Sequence, residues 1–170
     1  MWTGELDYEI RPCRWVDGRL AVWCPHKPGQ GKPIFAKPHP VRQRRSVAAL
    51  ICTVCGQPTP PSNRWWFKLG QFHEGWFMTT EAPLHRACAD HAKVLCPRLR
   101  SLHADGPWRF PNEHSVLSAI IGDFDDPKDQ FNVKLQGRTV VGQLKIAWPR
   151  ARVVLEAAQF ENRAARLAAS

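Results

Sequence analysis

Four side chains fall into two short pairs whose types suit a single metal ion. Cys52 and Cys55 stand in Cys52-Thr-Val-Cys55, and His85 and Cys88 stand in His85-Arg-Ala-Cys88, about thirty residues later. Zinc takes four ligands in a tetrahedron, and thiolate sulfur with imidazole nitrogen is the usual donor set. Two cysteines separated by two residues can converge on one ion if the chain turns tightly after them, and Gly56 follows Cys55 directly. The chemistry to expect is one structural Zn2+, because four protein ligands leave no open position for a substrate. Two other ligands are close at hand. His91, three residues after Cys88, can take the place of His85. Cys96 lies eight residues beyond Cys88, about 12 Å along a continuous helix, and is read as a core residue unless the helix breaks first. Buried free thiols or a redox pair are the plain alternatives, and neither explains the second pair of ligands.

The elements around these residues must bring the two pairs together. Pro83 stands just ahead of His85, and Leu84 to Leu99 reads as helix. Proline is tolerated at a helix start, so the second pair would sit on the first turn, where residues three apart share a face. Val47 to Val54 is apolar and strand-like, and would deliver the first pair. Between the pairs, Arg64 to Leu69 and Gly75 to Thr80 read as two strands with a turn at Gly70. A knuckle, a hairpin and a helix carrying the second pair together resemble the treble-clef zinc finger.

The charge is unevenly placed. The chain of 170 residues carries a net charge of +9, yet from Gly18 to His73 it has no acidic residue. That window holds Arg19, Lys27, Lys32, Lys37, Arg42, Arg44, Arg45, Arg64 and Lys68, and the other 15 basic residues match the 15 acidic ones. One-signed charge beside a zinc module suits a polyanion such as nucleic acid; a solvated basic surface is the bland reading. The candidate contacts are Lys37, Arg42, Arg44, Arg45, Arg64 and Lys68, with Trp66, between two cations, as a surface on which a base could stack.

The length fits a single domain with several parts. Residues 1–24 hold a hairpin turning at Asp17-Gly18. Residues 25–46 form a Pro-rich basic loop that ends in Arg42-Gln-Arg44-Arg45 and reads as an extended arm. Residues 47–101 make the zinc-finger core, and residues 102–170 hold a C-terminal hairpin and helix packed on it. Within that last part, Asn112 to Ile121 reads as a short helix. A hairpin turns at Gln136-Gly137 and pairs Val133 with Val140, and Pro149 opens a helix over Arg150 to Ala168. The fold class expected is α+β.

Two further clusters carry ligand-type side chains. Cys13, Cys24, His26 and His39 match no zinc spacing, and an apolar hairpin face with loop histidines is preferred; across the hairpin Cys13 and Cys24 are diagonal, too far apart for an unstrained disulfide. Asp123, Asp125, Asp126 and Asp129 lack the Gly and final Glu of a calcium loop and read as a solvated turn. No run of apolar residues spans a membrane, Met1 to Glu9 has no apolar core of a signal peptide, and metal-type cysteine spacing points to a reducing cytoplasm.

Three stretches carry a narrower resemblance. They are Ile51-Cys-Thr-Val-Cys-Gly-Gln-Pro58, then Pro83-Leu-His-Arg-Ala-Cys-Ala running on to Leu95-Cys-Pro-Arg-Leu99, and Trp148-Pro-Arg-Ala-Arg-Val-Val-Leu-Glu-Ala-Ala-Gln159. Together they resemble a group of small proteins of unassigned function from actinomycetes and their phages. That group commonly has Cys where this chain has His85. The resemblance implies a metal, the final helix and a mobile-element origin, but no activity. The function expected is a zinc-stabilised binding protein that contacts nucleic acid through the basic arm and finger face. The alternatives are a protein–protein adaptor or inhibitor, phage-related in origin, and a treble-clef nuclease. The nuclease is disfavoured: a His85 committed to zinc is not a base, and the chain has no His-Glu-x-x-His motif or phosphate-cradling glycine loop.

Overall fold

The computed structural model describes residues 14–16, 19–21, 40–102, 106–118, 121–122, 133–154 and 166. Cys13, Cys24, His26, Lys37, His39, the Asp123–Asp129 cluster and most of the final helix lie outside them. The described residues form a mixed α+β fold of small sheets and short helices. None of these helices is long and apolar enough to cross a membrane.

Strands β1 (Arg14–Val16) and β2 (Arg19–Ala21) pair antiparallel with Trp15 opposite Leu20, the register that a two-residue Asp17-Gly18 loop demands. Helix α1 (Pro40–Ala48) then replaces the end of the expected arm. Proline fits the first position of a helix, and the Arg-Gln-Arg-Arg run after it has good helix propensity. Tertiary bonds anchor this helix. The Gln43 amide donates to the carbonyls of Thr80 (2.7 Å) and Leu144 (2.8 Å) and accepts from the Leu144 N–H (3.1 Å). Leu50 takes a left-handed φ of 52°, and the Ile51 N–H returns to the Ser46 carbonyl at 2.9 Å. That closing turn of the helix steers the chain into Cys52. Val47 to Val54 is therefore not a strand. It is a helix end, a turn and the single bridge of Ile51 to Pro58.

The hairpin between the ligand pairs is also displaced. Trp65 and Trp66 form only single bridges, to Leu84 and Trp108 respectively. The paired strands are β3 (Gln71–His73) and β4 (Trp76–Thr79), turning at Glu74 (φ 45°) and Gly75 (φ 82°) rather than at Gly70. Successive positive φ values match the twist of a two-residue hairpin loop. Helix α2 (Arg86–Leu95) follows. It stops at Cys96, because the residue before a proline disfavours helical backbone, and α3 (Pro97–Leu102) resumes beyond it. A continuous helix to Leu99 was expected, so this is a correction.

Beyond α3, the expected helix over Asn112 to Ile121 is absent. Strand β5 (Ser115–Ser118) and the short β6 (Ile121–Gly122) occupy that stretch. Local capping signals lose here to sheet pairing, since β5 docks on β9 (Leu144–Pro149) with Val116 opposite Ile146. The sheet order is β3-β4-β9-β5. A second sheet, β6-β8-β7, contains β7 (Lys134–Leu135) and β8 (Arg138–Val140), joined at Gln136-Gly137 as expected. The Val140 N–H donates to the Val133 carbonyl at 2.9 Å. Residues 150–154 begin a helix whose Val153 is buried.

The main core lies on one face of the larger sheet. Trp66, Phe77, Phe110 and Trp148 stack there with Val47, Leu144 and Ile146. Trp66 meets Trp148 edge to face at 5.1 Å, and Phe77 lies parallel to Phe110 at 5.2 Å. The Trp148 Nε1–H donates to the Pro111 carbonyl at 2.9 Å, so the ring buries no unpaired donor.

Candidate metal centre

Cys52, Cys55, His85 and Cys88 converge, with one ligand atom from each lying within 4.8 Å of the others. Bonds of zinc length in a tetrahedron put such atoms about 3.5 to 3.8 Å apart. The first pair comes from a knuckle. The Cys52 N–H donates to the Gln57 carbonyl and the Gly56 N–H to the Cys52 carbonyl, both at 2.8 Å. Gly56 holds φ at 72°, a conformation that a side chain would oppose. The second pair comes from the start of α2. His85 is its cap residue, with extended backbone, and Cys88 lies in the first turn.

The His85 ring is oriented on both sides. Nδ1 lies 3.3 Å from Cys55 Sγ, and Nε2–H donates to the Pro58 carbonyl at 3.0 Å. A carbonyl only accepts, so Nε2 carries the proton and Nδ1 keeps its lone pair in the neutral ring. A metal-binding histidine is typically held this way. The donor set therefore fits a soft-to-borderline cation that takes three thiolates and one imidazole. Burial raises the Cys55 thiol above its ordinary value. Burial, together with the neighbouring Cys52 and Cys55 sulfurs, raises Cys88 as well. Three crowded sulfurs resist becoming anions together unless a cation sits among them.

A small apolar cluster encloses the ligands: Cys52, Phe67, Leu84 and Ala89 are buried, with Val54, Leu69, Ala92 and Leu99 packed against them. Of the two other ligands considered, His91 is exposed and lies outside the group, so it neither replaces His85 nor supports it. Cys96 ends α2 and also stands outside the group.

The residues expected to meet nucleic acid divide differently. Arg42 (5% exposed), Arg44 (8%), Arg64 (9%) and Trp66 (1%) are buried, Arg45 is half-buried, and Lys68 is exposed. The buried arginines serve the chain itself. Arg64 donates through Nε and Nη2 to the Thr59 carbonyl, at 3.1 and 2.6 Å, and Arg44 reaches the carbonyls of Val141 and Gly142. A free basic arm at Arg42–Arg45 and a stacking surface at Trp66 are thus both corrected. Helix formation turned Arg42 and Arg44 inward, and the Trp66–Phe67 stretch is buried on both sides: Phe67 and Leu69 pack as expected around the ligands, while Trp66 enters the aromatic core instead of solvent.

Lys68 stands 5.6 Å over Trp108 and Arg150 4.9 Å over Phe72, and Trp65 meets two cations. The Arg86 guanidinium lies 5.0 Å and that of Arg109 5.6 Å from its ring centroid. One atom, Asn63 Oδ1, accepts both the Trp65 Nε1–H (3.2 Å) and the Arg86 backbone N–H (2.9 Å). It caps α2 and orients the indole together. Arg109 Nη2 donates to the Pro61 carbonyl at 2.9 Å, and Arg86 Nε pairs with Asp90. Sequence reasoning missed this group because Arg86 and Arg109 come from distant segments. The signal present was the choice between Trp65 and Trp66 for the outward face. No family model, curated protein or solved structure matches the chain.

Proposed function

We propose that this chain is a zinc-stabilised binding protein that contacts nucleic acid. The observation that carries the reading is the closed donor set of Cys52, Cys55, His85 and Cys88, with His85 Nδ1 turned inward and Nε2 committed to Pro58. Zinc is the ion that best suits three thiolates and one imidazole in a tetrahedron. Four protein ligands make the ion structural, so the centre supports a surface rather than a reaction. The order of knuckle, hairpin and ligand-bearing helix favours a treble-clef arrangement, and the resemblance to actinomycete and phage proteins agrees with it. Thiols of this kind suit a reducing compartment such as the cytoplasm.

Nucleic acid is the partner favoured by the net charge of +9, with Lys68, Arg86 and Arg109 exposed while Arg42, Arg44 and Arg64 are buried. The test is a gel shift of zinc-loaded protein against a mixed pool of DNA and RNA oligonucleotides. Retention that weakens steeply between about 50 and 200 mM salt is expected; no retention at low salt would sink the nucleic-acid reading. A protein adaptor is the second reading, favoured by Phe72 and Trp76, which are 44% and 38% exposed on the β3–β4 hairpin. It predicts a specific protein partner retained after nuclease treatment and lost when Phe72 becomes Ser.

A further inference from the structure

We propose that the Arg86–Trp65–Arg109 group is the contact surface, and that its ligand is single-stranded nucleic acid. The inference rests on the nucleic-acid reading above and narrows it to one surface and one class of ligand. A guanidinium held over an indole keeps its plane fixed and turns its N–H edges outward, the geometry that phosphate oxygens accept in pairs. Arg86 commits Nε to Asp90, and Arg109 commits Nη2 to Pro61. Among the described residues, both Nη nitrogens of Arg86 and the Nε and Nη1 of Arg109 have no protein acceptor, and no carboxylate pairs with Arg109. Both arginines are exposed.

The group is built rather than incidental. Asn63 fixes the indole and the start of α2 through one oxygen. Trp65 exchanges two backbone hydrogen bonds with Leu84, at 2.9 and 2.8 Å, one residue before the ligand His85. Arg86 follows that ligand directly. Arg86 is therefore held on the segment that brings in His85 and Cys88, and Arg109 is brought to the same ring by the Trp108–Trp66 bridge and its bond to Pro61. Single strands are the fitting class because their unstacked bases can lie on the exposed arginine guanidinium planes, and a closed duplex offers no unstacked base. Two phosphates would be neutralised, one by each arginine.

The experiment is fluorescence anisotropy with a short fluorescein-labelled oligothymidylate, across the same salt range, on zinc-loaded protein. The variants are Arg86→Gln with Arg109→Gln, and a control, Arg100→Gln with Arg166→Gln, that removes equal charge from exposed positions elsewhere. Zinc content and near-ultraviolet circular dichroism verify that each stays folded. The first pair should weaken binding about tenfold or more, and flatten the logarithmic salt slope by about 1.4, at roughly 0.7 per phosphate. The control should change far less, and the duplex of the same oligonucleotide should bind more weakly. If the wild type binds and the Arg86/Arg109 pair binds equally well, or both pairs weaken it equally, the surface is overturned while the nucleic-acid reading stands. Duplex binding as tight as single-strand binding overturns the ligand class. No wild-type binding at low salt overturns both.

Discussion

Among the described residues, two clusters hold the fold together by different means. Around the ligands, Cys52, Phe67, Leu84 and Ala89 form a patch too small to stabilise much chain by apolar burial alone. Across the larger sheet, Trp66, Phe77, Phe110 and Trp148 pack ring against ring with the aliphatic residues of β9. Each large buried side chain there contributes about 1.5 to 3 kcal/mol. The two clusters share a seam. Val47 lies in the aromatic core and Cys52 in the small one, and Trp66 and Phe67 are neighbours on opposite sides. The difference teaches which part needs a cation. The aromatic core carries its own driving force, whereas the small cluster gathers crowded thiols that repel one another once ionised.

The sharpest way to break the comparison is to remove the metal. Structural zinc contributes about 10 to 16 kcal/mol of apparent binding energy in small fingers. A chelator should therefore open the knuckle and α2 while leaving β4 and β9 closed. Hydrogen exchange read by mass spectrometry should show fast exchange at 52–57 and 86–95 with protection kept at 76–79 and 144–149. Uniform loss of protection would mean that the clusters form one cooperative unit. The converse perturbation is Trp148→Ala, which empties a fully buried site and should cost about 3 to 5 kcal/mol. Denaturant unfolding of the zinc-loaded protein should show that loss with zinc stoichiometry unchanged in the folded state. A smaller effect tests the joint between α1 and the sheet. Gln43→Ala leaves the Thr80 and Leu144 backbone groups without their partner. It should cost about 1 to 3 kcal/mol, read as a lower thermal midpoint, with the metal centre intact.

The convergence of Cys52, Cys55, His85 and Cys88 was legible in the sequence because its logic is local: a two-residue spacing, a following glycine and a proline before the second pair. The hairpins at Asp17-Gly18 and Gln136-Gly137 were legible for the same reason, since short turns are fixed by their own residues. What escaped depends on partners far along the chain. Pro40–Ala48 is helix because Gln43 finds Leu144 about a hundred residues away. Ser115–Ser118 is strand because β9 offers it an edge. The outward tryptophan could not be chosen between Trp65 and Trp66 until Leu84 and Trp108 were known to flank them. A run of arginines looks like an arm to composition, and only burial shows that Arg42 and Arg44 belong to the interior.

The measurement that bears most directly on the zinc assignment is a calorimetric zinc titration of the metal-free protein near neutral pH, in buffers of different ionisation enthalpy. Without metal, the Cys55 and Cys88 thiols are held above their ordinary value, chiefly by burial. In the metal-free fold these raised thiols favour stability below the ordinary thiol range, and that stability is lost as pH rises through their folded values. Zinc binding has the opposite sign, because the thiols must lose their protons to bind, so affinity should strengthen as pH rises. The expected result is one zinc per chain with about three protons released, falling to weak or no binding in Cys88→Ser. Binding without proton release, or no zinc bound at all, would contradict a thiolate centre at Cys52, Cys55, His85 and Cys88.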